Sequence, residues 1–201
     1  MHKLTRRFLI IALLSGGLWQ LGEGVYIYAK AKLAQELILD AWEKGVANHQ
    51  PIKPWSWADT WPVARLMVPR LNIDQIVLAG DNGRALAFGP GYRFGSALPG
   101  EEGNSLISGH RDTHFSFLKK LRIDDTILVQ DQTGAVHQYV INAYEVIDES
   151  TPLADSNERQ LTLVTCYPFD AVMPGGPLRY VVTAAASIDD NYADENSVVR
   201  F

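Results

Sequence analysis

Cysteine is almost absent from this chain of 201 residues. The single one, Cys166, excludes an intramolecular disulfide framework and a zinc site built from several cysteines. Basic residues are also few: 18 lysines and arginines against 23 aspartates and glutamates leave a net charge of -5. A nucleic-acid-binding protein needs a basic face, so this class is disfavoured. The sequence contains no internal repeat and no low-complexity tract. Its 47% hydrophobic content is ordinary for a globular protein, and its length predicts about one domain.

The N-terminus combines a basic start with a long apolar stretch. Three basic residues lie within the first seven, and the segment 8–29 then supplies 22 mostly apolar residues, near the ~20 that a spanning helix needs. The positive-inside rule leaves the N-terminus cytoplasmic and exports everything after about residue 30. A secretory signal cleaved near Ala29-Lys30-Ala31 is the alternative. We expect a retained single-pass anchor in the cytoplasmic (inner) membrane, because that cleavage site lies well beyond the apolar run.

Composition and pattern divide the chain into four segments. We predict a membrane anchor at 1–30, a helical stalk and Trp/Pro-rich linker at 31–61, a β-rich domain at 62–187, and an acidic tail at 188–201. The stalk carries one apolar stripe at helical spacing, and we expect this stripe to pack on the domain. Its members are Leu33, Leu37, Ile38, Ala41 and Trp42.

The domain at 62–187 shows the signals of strands. Seven or eight short runs rich in β-branched and aromatic residues are separated by Gly, Pro, Asn and Asp. This pattern predicts a mainly β fold, a closed and antiparallel-rich β-barrel with short helices. One of those helices is predicted over 113–121, with Thr113 as its N-cap.

Three polar residues lie where β-type runs end or begin. His110 follows the run SLIS and a glycine, Cys166 ends the run LTLVTC, and Arg179 opens the run LRYVV. Rigid scaffolds usually present reactive groups at strand ends and in the loops after them. A nucleophilic cysteine needs a base or counter-charge nearby. Each residue alone also has a structural explanation, such as core packing for a free cysteine. The functional interpretation therefore depends on the three contexts occurring together.

With these contexts in view, the segment TLVTC at 162–166 resembles the Thr-Leu-x-Thr-Cys signature of sortases. The family's active histidine and arginine match His110 in SGHR and Arg179 in PLRYVV, in the same order along the chain. The similarity covers about residues 62–187. The linker KPWSWADTWPVARL, residues 53–66, is similar to that of sortases from Gram-negative proteobacteria, the class GN subgroup.

The resemblance implies a cysteine transpeptidase that acts on an exported protein with a C-terminal sorting motif. Cys166 would attack a backbone carbonyl in that motif and form a thioacyl-enzyme. His110 would protonate the leaving amine and later deprotonate the amine acceptor, which is a cell-wall peptide or a protein. Arg179 would hold the peptide and stabilise the oxyanion. Thr165 supports the oxyanion site in the family, and packing within the strand is the alternative for it.

Other readings of these residues stay open in the sequence. His110 and His114 have the spacing of helical metal ligands with Asp112 between them, but we expect Asp112 to cap the short helix or orient His110. We predict neither a metal site nor a cofactor, and we interpret the acidic pairs 101–102 and 148–149 as solvated charge rather than a calcium site. His137 falls in mid-strand.

Two other functions compete with the sortase interpretation. An exported L,D-transpeptidase is also β-rich and uses Cys with His, but its Ser-x-Gly-Cys-x-Arg context differs from the residues around Cys166. A membrane-anchored binding module with an inert thiol is the alternative of a different class. The sequence names neither the sorting motif nor the acceptor.

Overall fold

The computed structural model describes residues 2–153, 155–171, 173 and 175–187. The chain forms two compact units, residues 1–37 and residues 38–201. The predicted acidic tail at 188–201 lies outside the described residues. Two helices and eight strands make up the described part. They are α1 (His2–Asn48), β1 (Pro62–Val68), β2 (Ile73–Ala79), α2 (Gly83–Leu86), β3 (Gly91–Tyr92), β4 (Asn104–Ser108), β5 (Thr126–Gln130), β6 (Val136–Asp148), β7 (Gln160–Cys166) and β8 (Leu178–Ala186).

Helix α1 runs without a break through the predicted anchor and stalk. Its portion from Thr5 is long and apolar enough to cross a membrane, and its most apolar stretch is not buried within the protein. Large apolar side chains such as Phe8, Leu13 and Trp19 are 66–71% exposed. Exposure of such side chains to water is unfavourable, whereas their transfer into lipid is favourable. The helix therefore has the properties of a membrane anchor or of a signal sequence.

The end of α1 packs on the domain that follows it. Ile38, Ala41 and Trp42 are only 2–3% exposed. Ile38 lies in a small apolar cluster with Leu78 of β2 and Ala85 of α2. The part of the predicted stripe at 38–42 therefore packs as expected, whereas Leu33 is 58% exposed.

The eight strands close into a barrel in the order β1-β2-β3-β4-β7-β8-β6-β5, with β5 pairing back to β1. Most neighbours are antiparallel, but β2–β3 and β4–β7 are parallel. The predicted closed β-barrel is confirmed, as a mixed sheet. The parallel β4–β7 pair matters for function because parallel strands end at the same edge of a sheet.

Alternate residues of the strands fill the barrel. In β1, Ala64, Leu66 and Val68 are fully buried, while the residues between them are partly exposed. This is the period of two that a sheet with one buried face requires. Aromatic rings from the segment after β4 complete the core, with Phe115 fully buried against the strands. The core thus holds in place both the strands and the segment that follows β4.

The helix predicted over 113–121 is wrong in extent. The chain makes turns over 111–117, and only Leu118–Lys120 forms a single 3-10 turn. Thr113 does not cap it, because the N-cap position belongs to Phe117. The tight path brings Phe115 and Phe117 into an edge-to-face pair with ring centroids 5.7 Å apart. Burial of these two rings overrides the local helical pattern.

Candidate active site

The sheet topology brings the three candidate residues to one edge of the barrel. In the parallel pair, Ser108 at the end of β4 lies beside Val164 of β7. Two residues later come His110, in the segment after β4, and Cys166, the last residue of β7. On the other side of β7, Cys166 is the direct register partner of Arg179 in β8. Cys166 therefore stands at a strand end between the segment that carries His110 and the strand that carries Arg179. The thiol is partly exposed and is a free cysteine.

A buried threonine ties the histidine segment to the nucleophile strand. The Thr165 hydroxyl donates to the carbonyl oxygen of Gly109 over 2.7 Å, and the Gly109 amide donates to the Val164 carbonyl over 3.0 Å. Thr165 is only 2% exposed. Because these bonds join the residues immediately before His110 and Cys166, they fix the two segments side by side.

The glycine of SGHR is required by a close approach. A Cβ atom at Gly109 would lie 2.6 Å from the ring of Phe115, which no real contact tolerates. The His110 carbonyl then accepts from the Phe115 amide over 3.0 Å. The backbone on both sides of His110 is thus held, while the His110 residue itself is exposed to solvent.

Arg179 is bound by an acidic residue that lies between β6 and β7. Its guanidinium forms an ion pair with the carboxylate of Glu149 and donates to the Gly176 carbonyl over 2.7 Å. The side chain of Arg179 is 26% exposed, so this pair is partly shielded from water. The neighbouring Asp148 carboxylate has a lowered pKa, chiefly because Ser150 donates to it, with a smaller contribution from the charge of Arg179.

His114 lies close enough to His110 for their charges to interact. The pKa of His114 is lowered, first by burial and then by His110. The neutral form of His114 is therefore favoured. Asp112 accepts from the guanidinium of Arg111 over 3.3 Å. Within the described part of the chain, no three His, Cys, Asp or Glu side chains cluster as metal ligands would.

Comparison with known proteins agrees with this arrangement. The profile of the sortase domain matches residues 66–187, which is more than half of the chain and contains all three candidate residues. The chain belongs to the sortase family. Sortase D of Bacillus subtilis strain 168 is 29% identical over 119 residues. That match covers 58% of this chain and 60% of the relative, so this sortase spans less than two thirds of the curated relative that it matches.

Solved sortase structures have the same fold. The Clostridium perfringens sortase D5 transpeptidase is 25% identical, with a TM-score of 0.60 over 78% of this chain and 97% of that one. Sortase A from Corynebacterium diphtheriae is 28% identical, with a TM-score of 0.57 over 65% of this chain and 63% of that one. This membership favours the sortase interpretation over an L,D-transpeptidase.

Arg111 and Glu149 contact the candidate site, and the sequence did not point to either of them. Arg111, directly after His110, is 5% exposed and reaches the loop that follows Cys166. Glu149 is 56% exposed, in line with solvated charge, and it also forms an ion pair with Arg179, 30 residues away. Neither contact leaves a signal in residue spacing, because both depend on how separate strands and the loops after them meet.

The opposite end of the sortase barrel holds a cavity of about 480 Å³. It is lined by aromatic residues, among them Trp61 and Phe94, and by His137 at the start of β6. The start of β6 and the end of β7 lie at opposite edges, because each strand is antiparallel to β8. His137, at the start of β6, is therefore remote from Cys166. Its ring nitrogen Nε2 lies 2.8 Å from the Asp131 carboxylate.

Proposed function

We propose that the chain is a membrane-anchored cysteine transpeptidase that cleaves a C-terminal sorting motif of an exported protein and transfers the product to an amine. The observation that carries the proposal is the placement of Cys166 between the segment of His110 and the strand of Arg179 at one barrel edge. A nucleophile, a proton carrier and a bidentate cation are the groups that acyl transfer through a thioester needs.

The first half-reaction forms the acyl-enzyme. The thiolate of Cys166 attacks the carbonyl carbon of the scissile peptide bond, and the carbonyl oxygen takes up negative charge. Arg179 donates hydrogen bonds to that oxyanion, for which its planar guanidinium is suited. The C–N bond then breaks, the leaving amine takes a proton from the His110 imidazolium, and a thioester to Cys166 remains.

The second half-reaction releases the product. The amine acceptor attacks the thioester carbon while His110, now neutral, accepts its proton. Collapse of the tetrahedral intermediate forms the new amide bond and expels the Cys166 thiolate. His110 is again an imidazolium, so the enzyme returns to its starting state. The acceptor is a cell-wall peptide or another exported protein.

The proposed role of Arg179 has to accommodate its existing contacts, including the ion pair with Glu149. The ion pair with Glu149 and the bond to the Gly176 carbonyl engage Nη2 and Nη1 of Arg179. We infer that these contacts orient the guanidinium. An incoming peptide carbonyl then accepts from the N–H groups of Arg179 that these contacts leave available. Asp112 belongs to the same site as a partner of Arg111, and Thr165 supports the oxyanion region through its bond to Gly109.

The N-terminal half supports two further proposals, a membrane anchor and a sortase subgroup. We propose that α1 is a retained single-pass anchor with the N-terminus in the cytoplasm and the barrel on the periplasmic or external side of the inner membrane. The linker at 53–66 supports assignment to the sortases of Gram-negative proteobacteria, class GN. Its Trp55 packs edge-to-face on Phe88 with ring centroids 5.2 Å apart, so the linker is part of the barrel surface.

Trapping of the thioester tests the function. The full chain is mixed with the exported proteins of its own cell, and Cys166 is examined by intact-mass spectrometry for a new adduct. We expect an acyl adduct that is absent from Cys166→Ala and is released by an added amine. Mapping the trapped fragment identifies the sorting motif. An unmodified Cys166 whose thiol also reacts slowly, with no dependence on His110, would instead support a binding module with an inert thiol.

A further inference from the structure

A buried arginine connects the histidine segment with the loop between Cys166 and Arg179. Arg111 donates through Nη1 to the Pro168 carbonyl over 2.8 Å, and through Nη2 to the carbonyls of Ala171 over 2.8 Å and Met173 over 3.3 Å. Its Nε donates to Asp112 over 3.3 Å. The Arg111 side chain is 5% exposed, whereas that of Asp112 is 68% exposed.

The cost of burying this cation shows why its contacts hold the loop. A buried charge is tolerated only where partners replace the water that it loses. For Arg111 most of those partners are backbone carbonyls, spread over six residues of a single loop. If the loop moved away, the guanidinium would lose three acceptors at once. The arginine and the loop therefore keep each other in place.

The loop held in this way carries the candidate residues at both of its ends. Cys166 is the last residue of β7 and Arg179 is the second residue of β8, and the loop that contains Pro168, Ala171 and Met173 runs between the two strands. The Tyr167 amide donates to the Leu178 carbonyl over 3.0 Å, which closes the loop at its base. Arg111 holds it farther out. Since Arg111 also follows His110 directly, one side chain connects the segments of all three residues.

We propose that Arg111 is a positioning residue that fixes the loop 167–177 and thereby holds Cys166 and Arg179 in register with His110. The proposal rests on the proposed function, which assigns chemistry to those three residues, and adds a fourth residue that touches no substrate. Its action depends on the planar fork of the guanidinium, because two nitrogens must reach carbonyls on different residues. Lysine keeps the charge but offers a single nitrogen.

The test compares Arg111→Lys with wild type in the full chain, in detergent micelles. Arg65→Lys is the matched control, because Arg65 makes a two-point ion pair with Asp74 on β1 and β2, two strands away from the β4–β7 pair. Hydrogen exchange of the peptide 167–177 is measured by mass spectrometry. We expect exchange there to rise about tenfold or more in Arg111→Lys while the β1–β2 strands stay protected, since local opening exposes only local amides.

A second measurement separates positioning from a merely structural role. Cys166 is alkylated with iodoacetamide at neutral pH, using folded protein only. A thiolate forms more easily beside a cation, so a loop that no longer holds Arg179 against Cys166 should slow alkylation about fivefold or more. Arg65→Lys should react as wild type does. An Arg111→Lys variant that melts earlier but reacts at the wild-type rate, or faster, overturns the positioning role.

The remaining outcomes are also decisive. If wild-type Cys166 takes up no acyl adduct from the exported proteins, the proposed function fails, and hydrogen exchange alone then tests whether Arg111 fixes the loop. If Arg111→Lys does not fold, the guanidinium protons of Arg111 are observed by NMR in wild type. Resolved signals that exchange slowly with water support the three-carbonyl contact, and rapidly averaged signals contradict it.

Discussion

At the residue scale, the proposed roles of Cys166 and His110 are separable, and substitution distinguishes them. Cys166→Ala should abolish thioester formation, because the chain has no other thiol. His110→Ala keeps the thiol but removes the proton carrier, and general acid–base catalysis contributes about 10²–10⁴-fold. Single-turnover acylation by a peptide with the trapped motif measures both. His137→Ala, at the other end of the barrel, should stay within a few-fold of wild type.

The role of Arg179 is tested by keeping its charge. Arg179→Lys retains the cation but loses the two-point fork, and removal of one oxyanion donor typically costs about 10²–10³-fold in turnover. We expect a loss of that size in single-turnover acylation. Glu149→Gln is the companion variant, since it keeps a hydrogen-bond acceptor for Arg179 without the ion pair. Acylation at the wild-type rate by Arg179→Lys would leave Arg179 with a steering or structural role.

His114 should affect stability against pH more than catalysis. Burial lowers its pKa below the ordinary value of 6.5, so the unfolded chain binds this proton more readily than the folded protein does. The stability that neutral His114 supplies is present above pH 6.5 and is lost as the pH falls below it. We therefore expect the melting temperature of His114→Gln to fall less than that of wild type between pH 7.5 and pH 5.5.

The same variant also decides which histidine carries the proton. Acylation by His114→Gln should stay within a few-fold of wild type at neutral pH, because the depressed pKa makes His114 a poor proton donor there. If a well-folded His114→Gln protein lost as much activity as His110→Ala, the assignment of the proton carrier to His110 would be wrong.

At the scale of elements, the site depends on the pairing of β4 with β7. Thr165→Val removes the hydroxyl that satisfies the Gly109 carbonyl but keeps the volume of the side chain. A buried acceptor left without its donor costs about 1–3 kcal/mol. We expect the free energy of unfolding, measured with denaturant, to fall by that amount, and acylation to slow because His110 follows Gly109 directly.

A matched threonine controls for the loss of a hydroxyl from this sheet. Thr183→Val, at a partly exposed position of the neighbouring β8, should change both quantities much less. Equal effects of the two substitutions would show that the bond between Thr165 and Gly109 is not what holds the histidine segment.

At the scale of the whole molecule, we propose that the long apolar helix decides on which side of the membrane the barrel lies. Its exposed apolar side chains favour lipid, and charged residues before them favour a cytoplasmic N-terminus. We expect the protein to stay with membranes through a high-salt wash, with its barrel cleaved by protease added from outside the inner membrane. Recovery of a soluble chain that starts near Lys32 would show a cleaved signal instead, with the barrel still exported.

The sequence alone predicted most of the strands and pointed to the candidate reactive residues. Period-two runs between turn residues predicted the barrel strands, because burial on one sheet face imposes that period. The contexts of His110, Cys166 and Arg179 were visible because each residue adjoins a strand end. The family match over residues 66–187 contains all three contexts.

Only the tertiary structure decided how these residues meet and what holds them. The parallel pairing of β4 with β7 is a long-range contact that no local pattern encodes, and it places His110 beside the Cys166 strand. The helix predicted from Thr113 gave way to turns, because burial of Phe115 and Phe117 in the core outweighs local propensity. Arg111 acquired partners on a loop and Glu149 acquired one on β8, both far away in sequence, since such contacts of charged side chains depend on folded geometry rather than on spacing along the chain.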